Sequence, residues 1–205
     1  MEHLPSYFLF FNIYLIANNN RKGIDKYGNE HDSARCDIMT DSERFLNEAF
    51  AGESQASQKY RSFAAKADKE GFAQAARLFR AAAAAEEVHA ANHLRALKAV
   101  KSTKENLQAA IAGEDEEWEK MYPVMIEKAS SEGNKAAQTS FHYANEVEKI
   151  HSRLFKGLFE GLEANAKKDV SPYFVCPYCG NTVEGEAPAV CPICGAEGKL
   201  FMRID

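Results

Sequence analysis

No stretch of this sequence is long and apolar enough to span a bilayer. The longest such run, Tyr7 to Ala17, has eleven residues interrupted by Asn12, where a spanning helix needs about 20. It has the length of a signal core, but Met1-Glu2-His3 puts no Lys or Arg before it and no small-x-small cleavage site follows. Basic excess is also missing. The net charge is −5 with both signs well mixed, so there is no footprint for nucleic acid. Cysteine is too scarce and too regularly placed for a disulfide framework. Of five cysteines, four form Cys176-Pro177-Tyr178-Cys179-Gly180 and Cys191-Pro192-Ile193-Cys194-Gly195, which read as metal knuckles. Thiolates kept free for metal point to a reducing compartment, the cytoplasm. Cys36 stands alone and has no assigned role.

What is present is an apolar composition of 45%, sufficient for a core, arranged with helical periodicity. Phe45, Ala49, Phe50, Ala56, Tyr60, Phe63 and Ala67 form one stripe, over Asp41 to about Asp68, with Asp41 as the expected N-cap and Arg44 breaking a capping box. A second stripe runs from Phe72 to Leu97. Its small residues Ala81 to Ala85 allow close helix approach. A third begins near Ser102 or Thr103 and carries Leu107, Ile111, Trp118, Met121, Tyr122 and Met125, with Pro123 expected to kink it. A fourth follows Gly133 through Phe141, Val147, Leu154 and Leu158, with Gly161 as a candidate end and Leu162-Glu163-Ala164 as a candidate extension. Asn18 to Asp37 reads as loop.

Each apolar stripe is broken by acid: Glu53, Glu86, Glu114 and Glu148. Two of these open Glu-x-x-His motifs, Glu86 to His89 and Glu148 to His151, which place both side chains on one helix face. Singly, each residue has a bland reading. A helical glutamate usually faces solvent, an apolar-face histidine is usually a satisfied core residue, and Tyr60 and Tyr122 are ordinary core aromatics. An unpaired ionised carboxylate in an apolar interior costs several kcal/mol. Four of them, one per helix, are hard to explain without a cation. Glu53 to Glu86 and Glu114 to Glu148 are nearly the same distance in sequence, so each half of the chain offers one Glu and one Glu-x-x-His. That is the ligand pattern of di-iron bundles. Glu117 adds an acid one turn after Glu114.

The ordered set Phe50-Ala51-Gly52-Glu53-Ser54-Gln55-Ala56, both Glu-x-x-His motifs, Glu114-x-x-Glu117, Met121-Tyr122-Pro123 and the knuckles resembles the rubrerythrin family from about Met39 to Asp205. The resemblance implies an all-α four-helix ferritin-like bundle followed by a small rubredoxin-like metal-knuckle domain. The expected boundaries are an N-terminal extension over 1–38, the bundle over 39–164, a linker over 165–172 and the tail over 173–205. Synthesis starting at Met39 is one account of the extension.

The resemblance further implies a cytoplasmic di-iron peroxidase that reduces hydrogen peroxide to water. Glu86 and Glu148 would bridge two irons, Glu53 and Glu114 would be terminal ligands, and His151 would hold one iron. Glu117 and His89 would alternate at the other, and Tyr60 and Tyr122 would hydrogen-bond ligand carboxylates. Cys176, Cys179, Cys191 and Cys194 would bind a third iron, fed by rubredoxin or an NAD(P)H-dependent reductase. From the cysteines alone, a structural zinc ribbon is the competing reading. For the whole chain, the alternatives are a ferroxidase or a non-enzymatic redox sensor.

One departure from the best-known members concerns the link between the second and third helices. If these end at Leu97 and start at Thr103, their ends lie about 12 Å and 16 Å from the metal layer at ~1.5 Å per residue. Five loop residues reach roughly 18 Å, short of the ~28 Å return. The expectation is a domain-swapped homodimer, with Glu53, Glu86 and His89 from one chain and Glu114, Glu117, Glu148 and His151 from its partner.

Overall fold

The computed structural model describes residues 22–24, 30–32, 39–164 and 170–205. The apolar run 7–17, Cys36 and residues 165–169 of the expected linker lie outside them. Two short strands, β1 (Lys22–Ile24) and β2 (Glu30–Asp32), pair antiparallel with Gly23 opposite His31. They correct the reading of 18–37 as loop throughout. Three-residue strands carry too little alternation to register in a polar sequence. Among the described residues, no helix is long and apolar enough to cross a membrane.

The chain divides into two compact units, 1–100 and 101–205. The first contains α1 (Asp41–Lys69) and α2 (Ala73–Ala96). The N-cap of α1 is Thr40, not Asp41. Its hydroxyl accepts the Glu43 N–H and Glu43 answers to the Thr40 backbone, the Thr-x-x-Glu box that a start one residue later conceals. Gly71, at φ +81, ends α1 with Phe72 N–H on Ala67 O and Gly71 N–H on Asp68 O, a Schellman turn. The seam between α1 and α2 is made of small residues: Ser57, Ala64, Ala67, Ala76, Ala83 and Ala90 are buried. The aromatic part of the predicted stripe is not. Phe45 is 55% exposed, Phe63 47% and Phe72 63%. Tyr60, Phe63 and Phe79 instead cluster ring against ring, with centroids 5.5–6.2 Å apart.

The second unit holds α3 (Thr103–Glu116), a π-helical turn (Glu117–Met121), α4 (Tyr122–Ser131) and α5 (Lys135–Glu163). Ser102 caps α3 in a capping box with Glu105. The sequence leads one to expect a proline kink, and the structure has the π turn immediately before it. Tyr122 N–H reaches back to Glu117 O, and Pro123 sits in the first turn of α4, where its missing donor costs nothing. α5 runs past Gly161, packing along α3 and α4, with Val147 and Ser152 buried.

The tail is a three-stranded antiparallel sheet, order β4 (Thr182–Glu184), β3 (Tyr173–Val175), β5 (Met202–Ile204). Its small core is Cys176, Cys191 and Phe201, with Phe174, Val183 and Ile193 against them. Tyr178, within the first knuckle, is 69% exposed.

Candidate metal centres

In each knuckle a glycine at positive φ, Gly180 (+84°) or Gly195 (+78°), returns its N–H to the carbonyl of the first cysteine, Cys176 or Cys191. The four sulfurs converge: Cys176 Sγ lies 3.6 Å from Cys194 Sγ, and Cys179 Sγ 3.5 Å from Cys191 Sγ. A tetrahedron with metal–sulfur bonds of about 2.3 Å has edges of about 3.7 Å, so the set fits one metal ion. Burial pushes the Cys179 thiol well up. At Cys191 burial also acts upward, but the backbone N–H groups of Cys194 and Ile193 outweigh it and bring the thiol to about 7. Asn181, almost wholly buried, accepts Cys176 N–H at 2.9 Å and directs Nδ2 to Cys191 Sγ at 3.7 Å.

The helical ligands gather as two triads. Glu53, Glu86 and His89 bring one donor atom each within 4.8 Å of one another in the first unit, and Glu114, Glu148 and His151 do so in the second. The Glu-x-x-His geometry is the same in both. His89 Nδ1 is 2.8 Å from Glu86 Oε2, and His151 Nδ1 is 2.8 Å from Glu148 Oε2. Carboxylate oxygens with imidazole nitrogen form a donor set suited to iron. The carboxylates of Glu114 and Glu148 raise His151 to about 9. Glu114 Oε2 lies 3.8 Å and Glu148 Oε2 2.8 Å from His151 Nδ1. Glu117 lies outside the triad but within its field. Burial, then the charges of Glu148 and Glu114, raise its carboxyl. Tyr122 is pushed up to about 12 by burial and then by Glu117, Glu148 and Glu114. Tyr60 has ring contacts with Phe63 and Phe79.

Two residues not singled out by the sequence support the second triad. Asp115 Oδ1 accepts from Trp118 Nε1 (3.1 Å), Ser152 Oγ (2.6 Å) and Lys156 Nζ (2.9 Å), tying α3 to α5 beside Glu114. Burial works to raise the Asp115 carboxyl, but Lys156, Ser152 and Trp118 hold it below its usual value. Its i, i+3 spacing to Trp118 was the available signal, masked by the acidic run around it. Thr182 Oγ1 lies 2.9 Å from His151 Nε2. Nothing in the sequence marks this contact, which spans thirty-one residues.

A chain with paired carboxylate–histidine triads on long helices and a four-cysteine knuckle tail is a non-haem di-iron protein with a tetrathiolate iron centre. The family model described as Rubrerythrin matches residues 44–159, and that described as the rubredoxin-like domain of rubrerythrin matches 174–202. Rubrerythrin-2 of Clostridium acetobutylicum is 37% identical over 77% of this chain and 93% of its own length. Rubrerythrin of Porphyromonas gingivalis is 36% identical over 78% and 88%, and nigerythrin of Nitratidesulfovibrio vulgaris 34% over 73% and 79%. A solved structure of partially reduced nigerythrin aligns with a TM-score of 0.48 at 31% identity, over 83% of this chain and 90% of that one. The chain belongs to the rubrerythrin family.

Proposed function

We propose that this protein is a peroxidase that reduces hydrogen peroxide to water in the cytoplasm, with electrons entering through the tail from rubredoxin or an NAD(P)H-dependent reductase. The observation that carries the reading is His151. Its Nδ1 faces Glu148 while its Nε2 meets Thr182 of the tail, so a ligand of the iron pair and the electron-accepting domain of the same chain are in contact. Peroxide takes up two electrons and two protons and leaves as two waters. The iron pair, when bound, supplies those electrons.

In this reading the residues have distinct tasks. Glu86 and Glu148 would be the ligands shared by the pair, Glu53 and Glu114 its terminal ligands, and His151, whose Nδ1 faces the carboxylates, would hold one iron. Glu117 and His89 would alternate in holding the other. Hard carboxylate oxygen suits the ferric state, and neutral imidazole the ferrous. His89 Nδ1 lies 2.8 Å from Glu86 Oε2, on the side of the first triad. Tyr122, inside the field of three ligand carboxylates, orients them, and Tyr60 is its counterpart in the first unit. The bundle comprises 39–164, joined by 165–172 to the tail at 173–205, with 1–38 an extension.

The working unit in this reading is a swapped homodimer, each iron pair formed from the first unit of one chain and the second unit of the other. Its support is the connection between α2 and α3. Residues 97–99 are wound into a Schellman turn, with Ala99 N–H on Leu94 O, Lys98 N–H on Arg95 O and Lys98 at φ +51. Asn106 clamps the backbone of Lys101 through both its N–H and its carbonyl. Little slack remains for a return along the helices, and the exposed Phe45, Phe63 and Phe72 need a cover.

The test of the activity is rapid mixing of anaerobic, fully reduced, iron-loaded protein with peroxide and, separately, with air. Faster reoxidation by peroxide, with the tetrathiolate iron oxidising alongside the pair, is the expected result. Faster reaction with oxygen, accompanied by net iron uptake, would overturn it in favour of a ferroxidase.

A further inference from the structure

We propose that Thr182 is a positioning residue for the iron site: its hydroxyl holds His151 in the Nε2–H form, so that the metal affinity of the Glu114–Glu148–His151 triad depends on how the tail is seated. The inference rests on the iron site and not on the peroxidase reading.

The direction of the hydrogen bonds carries the argument. Thr182 Oγ1 donates its proton to Gly180 O at 3.0 Å. A hydroxyl has one proton, so towards His151 Nε2, at 2.9 Å, it can only accept. The ring must therefore carry hydrogen on Nε2, and in the neutral imidazole the lone pair is then on Nδ1. That nitrogen is the one that faces the carboxylates, 2.8 Å from Glu148 Oε2 and 3.8 Å from Glu114 Oε2. The opposite tautomer would set two lone pairs against each other at Nε2 and Oγ1 and turn the N–H towards the metal position. A partner on the far ring nitrogen is how proteins fix both the tautomer and the basicity of a ligand histidine.

Thr182 is itself fixed by the knuckles. Gly180 gives its N–H to Cys176 O. A side chain at Gly180 would begin 3.7 Å from Cγ1 of Val147, a buried residue one turn before His151 on α5. Asn181 accepts Cys176 N–H and reaches Cys191 Sγ. Filling the cysteine site orders these knuckles and so presents Thr182 to His151. Binding free energies are reciprocal, so metal at the triad equally strengthens the seating of the tail. The two Glu-x-x-His motifs thus differ in kind. His89 is 54% exposed at its side chain, whereas His151 is 28% exposed and held at both nitrogens.

The test uses full-length protein with zinc in the cysteine site. Zinc is titrated into the carboxylate site against a chromophoric chelator, for wild type, Thr182→Val and Thr182→Ser. The valine variant, isosteric but without the hydroxyl, should bind about 10–100-fold more weakly, and serine should restore binding close to wild type. In ¹⁵N spectra of the zinc-loaded wild type, His151 should show metal on Nδ1 and a slowly exchanging Nε2–H. That proton should lose its protection in Thr182→Val and keep it in Thr182→Ser. Wild-type affinity in Thr182→Val, or zinc bound through Nε2 in the wild type, would overturn the proposal. The second readout needs no variant to fold. Failure of the peroxide experiment with these results intact would count against the peroxidase reading alone.

Discussion

At the residue scale, the chemistry is concentrated in groups that pay for their position only when a cation is present. In the metal-free protein that role falls to protons. His151 is raised from 6.5 to about 9 by the carboxylates beside it. A raised folded-state value stabilises the fold fully below the unfolded value and ceases to do so as pH climbs through the folded one. With zinc in the cysteine site and the carboxylate site empty, thermal stability should therefore fall between pH 6.5 and about 9. A His151→Gln variant should flatten that slope, as melting followed by helix ellipticity across the window would show. Metal must displace the same proton, so affinity at this triad should rise with pH over the same range. Asp115 provides a second handle. Asp115→Asn keeps the shape but weakens acceptance from Lys156, Ser152 and Trp118. A loss of about 1–3 kcal/mol in denaturant unfolding is expected. The glutamates of the two triads are legible in the sequence because acid on an apolar stripe is anomalous by itself. Asp115 and Thr182 are not, because each has an ordinary local pattern and acquires its meaning from an element far away in the chain.

At the element scale, the helices are legible in number and placement, while their terminations and irregularities are less so. Thr40 rather than Asp41 caps α1 because the two adjacent candidates differ only in which one finds Glu three residues on. A π turn at 117–121 accompanies the expected irregularity at Pro123, since widening the turn ahead of the proline relieves the clash with an upstream carbonyl. Gly161 does not stop α5: glycine is tolerated where packing along the rest of the helix outweighs about 1 kcal/mol of lost propensity. In the tail a glycine is indispensable for a different reason. A Cβ on Gly198 would lie 1.8 Å from Pro188 O, while its N–H bonds Ala189 O at 2.8 Å. Gly198→Ala must displace backbone and should cost the tail about 1–3 kcal/mol, as overpacked cores do. Because metal and folding are coupled in so small a core, the measurement is the rate at which a chelator strips iron from the cysteines, which should increase while helix content stays unchanged.

At the scale of the whole molecule, the sequence repeats its ligand set once in each half, and the structure assigns one set to each compact unit. Neither triad supplies the full complement of a di-iron site, which takes one Glu from each of two helices and a Glu-x-x-His from each of two others. Sequence periodicity cannot say whether the complementary triad comes from the same chain, since both arrangements bury the same faces. The swapped dimer can be separated from the closed monomer and the unswapped dimer by complementation. One variant loses the first-unit ligands (Glu53→Ala with Glu86→Ala), and another loses a second-unit ligand (Glu148→Ala). Alone, neither should hold an iron pair. In a swapped heterodimer refolded from both, the intact first unit of the second variant meets the intact second unit of the first. One complete iron pair is restored, opposite a site that has lost ligands from both sides. In unswapped molecules every site keeps one damaged half, and mixing restores nothing. Iron analysis and the visible spectrum of the co-refolded mixture, compared with each variant refolded alone, would show the restored pair, and its absence would place all the ligands of each site in one chain.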